Sequence, residues 1–237
     1  MSQDHDHAQD HAEGDLKEKL LDAALLHVPF DGWSEATFRA ACRDAEVPEV
    51  LAHAVCPRGG VDLALAYHAR GDSAMLARLA TEDLSGLRFR DKVIAAVRFR
   101  LEAVDDKEAV RRGTTLLTLP QYAPDGVKAI WGTCDLIWEA LGDGSEDLNW
   151  YTKRASLAGV YSATVLYWLG DDSPGHQATW DFLERRIENV MDFEKLKAGL
   201  QKNPLLKPLL AGPNWLAEQI KPPKGRDDLP GSVNPRR

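Results

Sequence analysis

The stretch DLNWYTKR, Asp147 to Arg154, sets an acid, an amide, two aromatic rings and two cations directly ahead of an uncharged run that passes Trp168. This is binding chemistry rather than bond-making chemistry. Trp, Tyr and Arg dominate contact hot spots, whereas no residue of the set has a nucleophile–base partner in a catalytic spacing. A packing reading stays open beside it: Asp147 or Asn149 caps a helix, Trp150 and Tyr151 fill a core, and Arg154 lays its stem along the surface with its charge in water.

Elsewhere, reactive residue types are sparse. The chain has no Gly-rich phosphate loop, G-x-S-x-G, H-E-x-x-H or E-x-x-H, the spacings that carry phosphate, acyl or metal chemistry. Without E-x-x-H, the chain is not expected to be a di-iron bundle enzyme. His5, His7 and His11 alternate with aspartates and could hold a metal loosely, but a solvated acidic tail is the stronger reading. Cys42, Cys56 and Cys134 are odd in number and far apart, which fits reduced thiols. No catalytic residue, resident metal or cofactor is expected.

The elements that would position these residues are helical throughout. Leu16, Leu20, Leu21, Ala24 and Leu25 follow helical spacing; Ser34 is an N-cap for EATFRAACRDA, and EVLAHAV is a short helix closed by CPRGG. Longer helices carry Leu63–Leu79, Val93–Val104 (with arginines distributed around the other surface) and a stripe of Val127, Ile130, Trp131, Cys134, Trp138 and Leu141. In the helix from 148, Leu157, Tyr161, Thr164 and Trp168 form a bulky side, and Ala155, Gly159, Ser162 and Ala163 a small one. Periodicity leaves open whether the small side admits another helix or a ligand. No strand pattern appears, so the fold class is all-α. The expected partition is a disordered acidic tail over 1–14, a helix-turn-helix-like unit over 15–60, a larger helical domain over 61–191, and an amphipathic, Pro-rich segment over 192–237.

Composition narrows the class. The 237 residues are 44% hydrophobic and 28% charged, with a net charge of -8, a profile of globular chains. No uncharged run reaches the ~20 residues of a membrane span, and the start has neither a secretory nor an Arg-rich transit pattern; a cytoplasmic protein is expected. The first three helices resemble the DNA-binding unit of TetR-type regulators. However, Arg39 and Arg43 face Glu35, Asp44, Glu46 and Glu49, and EVLAHAV offers only His53 beyond its acidic start. A groove-reading helix needs Arg, Lys, Asn or Gln, so no nucleic-acid partner is expected. A TetR-type regulator sensing a hydrophobic ligand is the alternative.

Two motifs are more specific: D-x-N-W-Y-x-x-R at 147–154 and D-S-P-x-x-x-x-T-W-x-F-L-x-x-R at 172–186. Together with LLDAALLHVPFDGWSEATFRAA they resemble the lipid-binding family of ubiquinone biosynthesis, the COQ-nine family, over roughly residues 20–191. The resemblance implies a TetR-like homodimer, with 148–168 and 174–191 as its faces, that binds an isoprenoid lipid or phospholipid without catalysis. It also implies presentation of a quinone intermediate to a ring hydroxylase. Carried over, the partner patch is Asp147, Trp150 and Tyr151, with Asn149 and Arg154 in the same motif. The lipid lining is expected among Val97, Leu101, Trp131, Cys134, Trp138, Leu157, Tyr161 and Trp168.

The same family reaches the membrane through a C-terminal helix. Here Pro204, Pro208 and Pro213 interrupt it. Leu205, Leu206, Leu209, Leu210, Trp215 and Leu216 among lysines still suit peripheral contact with an anionic surface, in this case the inner membrane; a strap folded onto the domain is the other reading.

Overall fold

A computed structural model of the protein describes residues 3–144 and 148–202, with the side chains of 3–11, 148–149 and 191–202 outside the description. Within that range every regular element is a helix. They are α1 (Gln3–Leu25), α2 (Val28–Asp31), α3 (Glu35–Asp44), α4 (Glu49–Val55), α5 (Gly60–Thr81), α6 (Phe89–Glu102), α7 (Lys107–Leu117), α8 (Ala123–Ala140), α9 (Leu148–Leu169) and α10 (Gln177–Lys202), the last preceded by a 3₁₀ turn at Pro174–His176.

Local chemistry accounts for the starts. The Ser34 hydroxyl accepts from the Thr37 amide at 3.2 Å to begin α3, and the Asp106 carboxylate accepts from the Glu108 amide at 2.8 Å to begin α7; both satisfy donors that the first turn leaves free. The acidic segment differs from expectation: α1 already runs from Gln3, so residues 3–14 are helical instead of a disordered tail. Early acids complement the positive end of a helix dipole, and the alanines favour helix. α10 likewise continues to Lys202 with no break near residue 192.

The buried side chains form two clusters. Leu20, Leu21, Phe38, Ala41 and Leu63 centre the first, from α1, α3 and the start of α5. Met75, Val97, Ile137, Leu157 and Leu183 centre the second, from α5, α6, α8, α9 and α10. α5 runs through both, so the small N-terminal unit is fixed against the larger one by a continuous rod. Its first residue shows how close the approach is: a Cβ on Gly60 would lie 2.7 Å from the Trp33 carbonyl oxygen, which only glycine avoids.

Candidate functional site

α5 through α9, with Trp33, enclose a cavity of about 440 Å³, within the roughly 300–1,000 Å³ of small-molecule sites. Its wall is apolar over most of its area, with Leu101, Val104, Val110, Leu117 and Ile130 among the lining. One end is polar. α5 supplies His68 and Asp72, one helical turn apart, so both face the same way. α6 supplies Arg100, whose Nε donates to Asp72 at 2.6 Å and whose second amino group donates to the His68 carbonyl at 2.9 Å. α8 supplies Thr133, which donates to Asp72 at 2.9 Å and lies 2.8 Å from His68 Nε2. Asp72, Arg100 and Thr133 are 7%, 4% and 0% exposed. An ion pair this dry persists because each member is also hydrogen-bonded.

Burial sets the protonation at this end. It pulls the His68 imidazole below its ordinary value, against the opposing pull of Asp72, so the ring is neutral near pH 7. Burial also pushes the Tyr161 phenol on α9 up to about 12, with Arg100 as the smaller opposing influence. Tyr161 therefore keeps its proton. At the other end of the cavity, Val127 on α8 and Leu166 on α9 are 67% and 61% exposed although both line it. The pocket thus runs from a polar floor to an apolar mouth.

A second cavity of about 340 Å³ lies between α6, α8, α9 and α10, walled by Phe89, Val93, Trp138, Leu157 and Ile187. The Trp138 indole N–H is buried with no acceptor among the described residues.

The motif at the start of α9 builds an aromatic corner. The Trp150 and Tyr151 rings meet edge to face at 4.7 Å, and Trp131 of α8 lies 6.1 Å from Trp150 and 6.5 Å from Tyr151. Trp150 and Tyr151 are half-buried. Arg154 is 1% exposed, which corrects its placement with the surface residues of the motif. Its guanidinium stacks 3.9 Å from the Trp150 ring, pairs with Asp135 and Asp143, and donates to the Trp150 carbonyl. A buried guanidinium needs this many acceptors, so Arg154 is the seat of the patch and not its face. Asp147 lies outside the described residues; Asn149 is placed only as backbone of α9.

The second motif closes a cap on Asp171, the residue just before it. Asp171 accepts from the Thr179 amide and hydroxyl at 2.9 and 2.5 Å and from the Ser173 amide at 2.8 Å, and Trp180 Nε1 donates to the Gly175 carbonyl at 2.8 Å. These hydrogen bonds hold the Asp171 carboxyl well below the usual carboxylate range. They fix the turn that lays α10 back on α9.

Of the expected lipid-lining residues, Leu101 and Tyr161 line the first cavity and Trp138 and Leu157 the second. Val97, Cys134 and Trp168 are corrected to packing: they are 0%, 0% and 3% exposed within the larger core and line neither cavity. Trp131 belongs to the aromatic corner. Four residues escaped the sequence reading: His68, Asp72, Arg100 and Thr133. The His68/Asp72 spacing was their one visible signal. By sequence Arg100 is one of the arginines distributed around the other surface of its helix, and only the fold reveals the carboxylate that draws it inward. The small side of α9 is open: Ala155 and Gly159 are exposed, and nothing lies within 4 Å of a Cβ built on Gly159.

The other expectations meet the structure unevenly. On α4, Glu49, Val50, Leu51 and His53 are exposed, with no Lys or Arg on the helix, a poor surface for phosphates. Among the described residues no three His, Cys, Asp or Glu gather as metal ligands, and no helix is long and apolar enough to cross a membrane. The side chains of His5, His7 and His11, and all of Leu205, Leu206, Leu209, Leu210, Trp215 and Leu216, lie outside the described residues.

Comparison with known proteins follows the same helices. A model of the COQ9 family matches residues 123–194, which hold α8, α9, both motifs and most of α10. "Ubiquinone biosynthesis protein COQ9, mitochondrial" of Drosophila melanogaster is 33% identical over 76% of this chain and 57% of its own length. The protein of the same name in Xenopus tropicalis is 31% identical over 76% of this chain and 59% of its own. The chain thus spans less than two-thirds of the length of these curated relatives. A TetR transcriptional regulator from Nitrosomonas europaea ATCC 19718 superposes with a TM-score of 0.61 at 17% identity, covering 73% of this chain and 97% of that one. The fold is all-α and TetR-like.

Proposed function

Over its matched residues the chain belongs to the COQ9 family, and from that premise we propose that it serves ubiquinone biosynthesis as a non-catalytic lipid-binding protein. In this reading the cavity of α5–α9 holds the ring end of an isoprenoid intermediate, whose tail leaves past Val127 and Leu166. The aromatic corner of Trp150 and Tyr151, with Asp147 and Asn149 of the same motif, docks a ring hydroxylase. A second copy packs on α9 and α10, where Ala155 and Gly159 allow close approach, and the segment after residue 203 touches the inner-membrane surface.

The observation that carries the reading is the polarity of the first cavity: a satisfied polar floor, an apolar shaft and an exposed apolar mouth match an amphipathic molecule with a long tail. The Thr133 hydroxyl beside His68 is fully buried and donates to Asp72, and Asp72 and Arg100 pair with each other, which supports a holding role. The exposed residues of α4 do not favour the regulator alternative.

Deleting the gene in its own host, with quantification of the quinone pool by mass spectrometry, tests this. Ubiquinone should fall and an under-hydroxylated precursor accumulate. Wild type should restore the pool, and Trp150→Lys should not, while remaining as abundant as wild type. An unchanged pool in the deletion strain would sink the reading.

A further inference from the structure

The second cavity, of about 340 Å³, grades from a dry end to a charged one. Val93 of α6, Leu157 and Val160 of α9 and Ile187 of α10 wall the dry end, each 3–6% exposed. At the other end Phe89 is 45% exposed, and the side chains of Arg90 and Lys153 are 31% and 39% exposed. The Trp138 ring ties this end together: Phe89 stacks on it at 5.6 Å, and the Lys153 ammonium lies 5.4 Å from its centre. Lys153, Ser156, Leu157 and Val160 follow one face of α9, so Ser156 comes between the cation and the apolar wall. Both charged residues of the described lining are cations; no Asp or Glu is among them.

We infer that this cavity is a second, separate binding site, for a single-chain carboxylate of the fatty-acid class. Its hydrocarbon chain lies against the dry end and its carboxylate is held at the rim by Arg90 and Lys153. The proposal does not depend on what the first cavity holds. A neutral phenol or quinone gains nothing from two cations, whereas a carboxylate gains from both. The volume is at the lower end of the roughly 300–1,000 Å³ of small-molecule sites, which favours one chain over the two of a phospholipid. Arg90 meets Asp91 through Nε at 3.2 Å and Glu188 through one amino nitrogen at 3.7 Å. A guanidinium has five N–H groups, so Arg90 keeps donors for a ligand. Lys153 pairs with Asp143 at 2.7 Å and adds its charge from the opposite wall. Neither Asp91, Glu188 nor Asp143 lines the cavity. α6 begins at Phe89, so the positive end of its dipole lies at the same rim. That rim is half-exposed, so a carboxylate seated there stays partly hydrated and avoids the cost of burying a bare charge.

The test is equilibrium dialysis of the full chain near neutral pH against radiolabelled dodecanoate and, separately, dodecanol, both below their micellar range. Val190→Trp, which fills the cavity from its half-buried wall, should remove the dodecanoate site. At that site wild type should bind dodecanoate about tenfold more tightly than dodecanol, the size of one hydrogen bond to a charged group. Arg90→Met should bring the two affinities together, and Arg90→Lys should keep the preference. An excess of acetate should displace nothing. Failure of wild type to bind dodecanoate, or equal or tighter binding of dodecanol, would overturn the inference. So would an Arg90→Met variant that keeps the preference. Undiminished binding to Val190→Trp would place the chain elsewhere, and displacement by acetate would reduce the site to one for a bare anion; either also overturns it. Each of these outcomes leaves the reading of the first cavity standing. If Arg90→Met does not fold, the wild-type preference and the Val190→Trp loss decide.

Discussion

Gly71→Ala puts two physical effects in direct opposition. Gly71 lies inside α5, where replacing glycine by alanine in an unobstructed helix gains about 1 kcal/mol. Here a Cβ would lie 2.3 Å from an Arg100 amino nitrogen and 2.5 Å from the guanidinium carbon. An exposed arginine would swing away at almost no cost. Arg100 cannot: it is 4% exposed, bonded to Asp72 at 2.6 Å and to the His68 carbonyl at 2.9 Å. Moving it strands the Asp72 carboxylate, and breaking a buried pair from one side costs about 3–5 kcal/mol. Asp72 keeps its Thr133 bond, so the lower half of that range applies, and the helix gain offsets part of it. The net expectation is a loss of about 2 kcal/mol, read as a lower urea midpoint at unchanged slope. Placing Gly71→Ala in an Arg100→Met background removes the clash, and the substitution should then become neutral or stabilising by up to about 1 kcal/mol. A single Gly71→Ala variant more stable than wild type would refute the claim that Arg100 is pinned.

Three further outcomes follow from the same contacts. Arg154→Met should cost about 2–4 kcal/mol in urea unfolding, somewhat under a fully buried pair because Asp143 retains Lys153 at 2.7 Å; a loss below about 1 kcal/mol would show that Arg154 is not the seat of Trp150. Asp171 has a folded-state pKa below its unfolded value, so its contribution is complete above the ordinary aspartate value near about pH 4 and is lost as pH falls further. Asp171→Asn should therefore flatten the acid limb of the stability curve below about pH 4 and lower stability at pH 7, and an acid limb identical to wild type would count against the cap. Burial pushes the Cys56 and Cys134 thiols up to about 11 and about 12, which removes the nucleophilic thiolate at working pH. A chromogenic disulfide reagent at pH 8 should react with neither until urea unfolds the chain; rapid native labelling of Cys134 would contradict its burial.

Helix identity was legible because it needs only local information. Ser34 reads as a cap from its neighbours, and the structure has it accepting from Thr37; the EVLAHAV, Val93–Val104 and Val127–Leu141 stripes all become helices, α4, α6 and α8. The limits appear where a residue's environment is set by a distant segment. Arg100 looks like any surface arginine until α5 brings Asp72 against it from 28 residues away. Cys134 and Tyr161 share the same apolar pattern in the sequence, yet one is sealed in the core and the other faces a cavity, because periodicity fixes the side of a helix and not what stands opposite. The two motifs show the converse. Their residue types announced a purpose, but the purpose of half of them is internal: Thr179 and Trp180 close a turn, and Arg154 holds Trp150 from beneath. A binding surface needs that scaffold, since an aromatic side chain already fixed in place loses less freedom when a partner arrives. In the proposed docking role Trp150 is an anchor whose rigidity comes from the acidic pair Asp135 and Asp143, acting through Arg154.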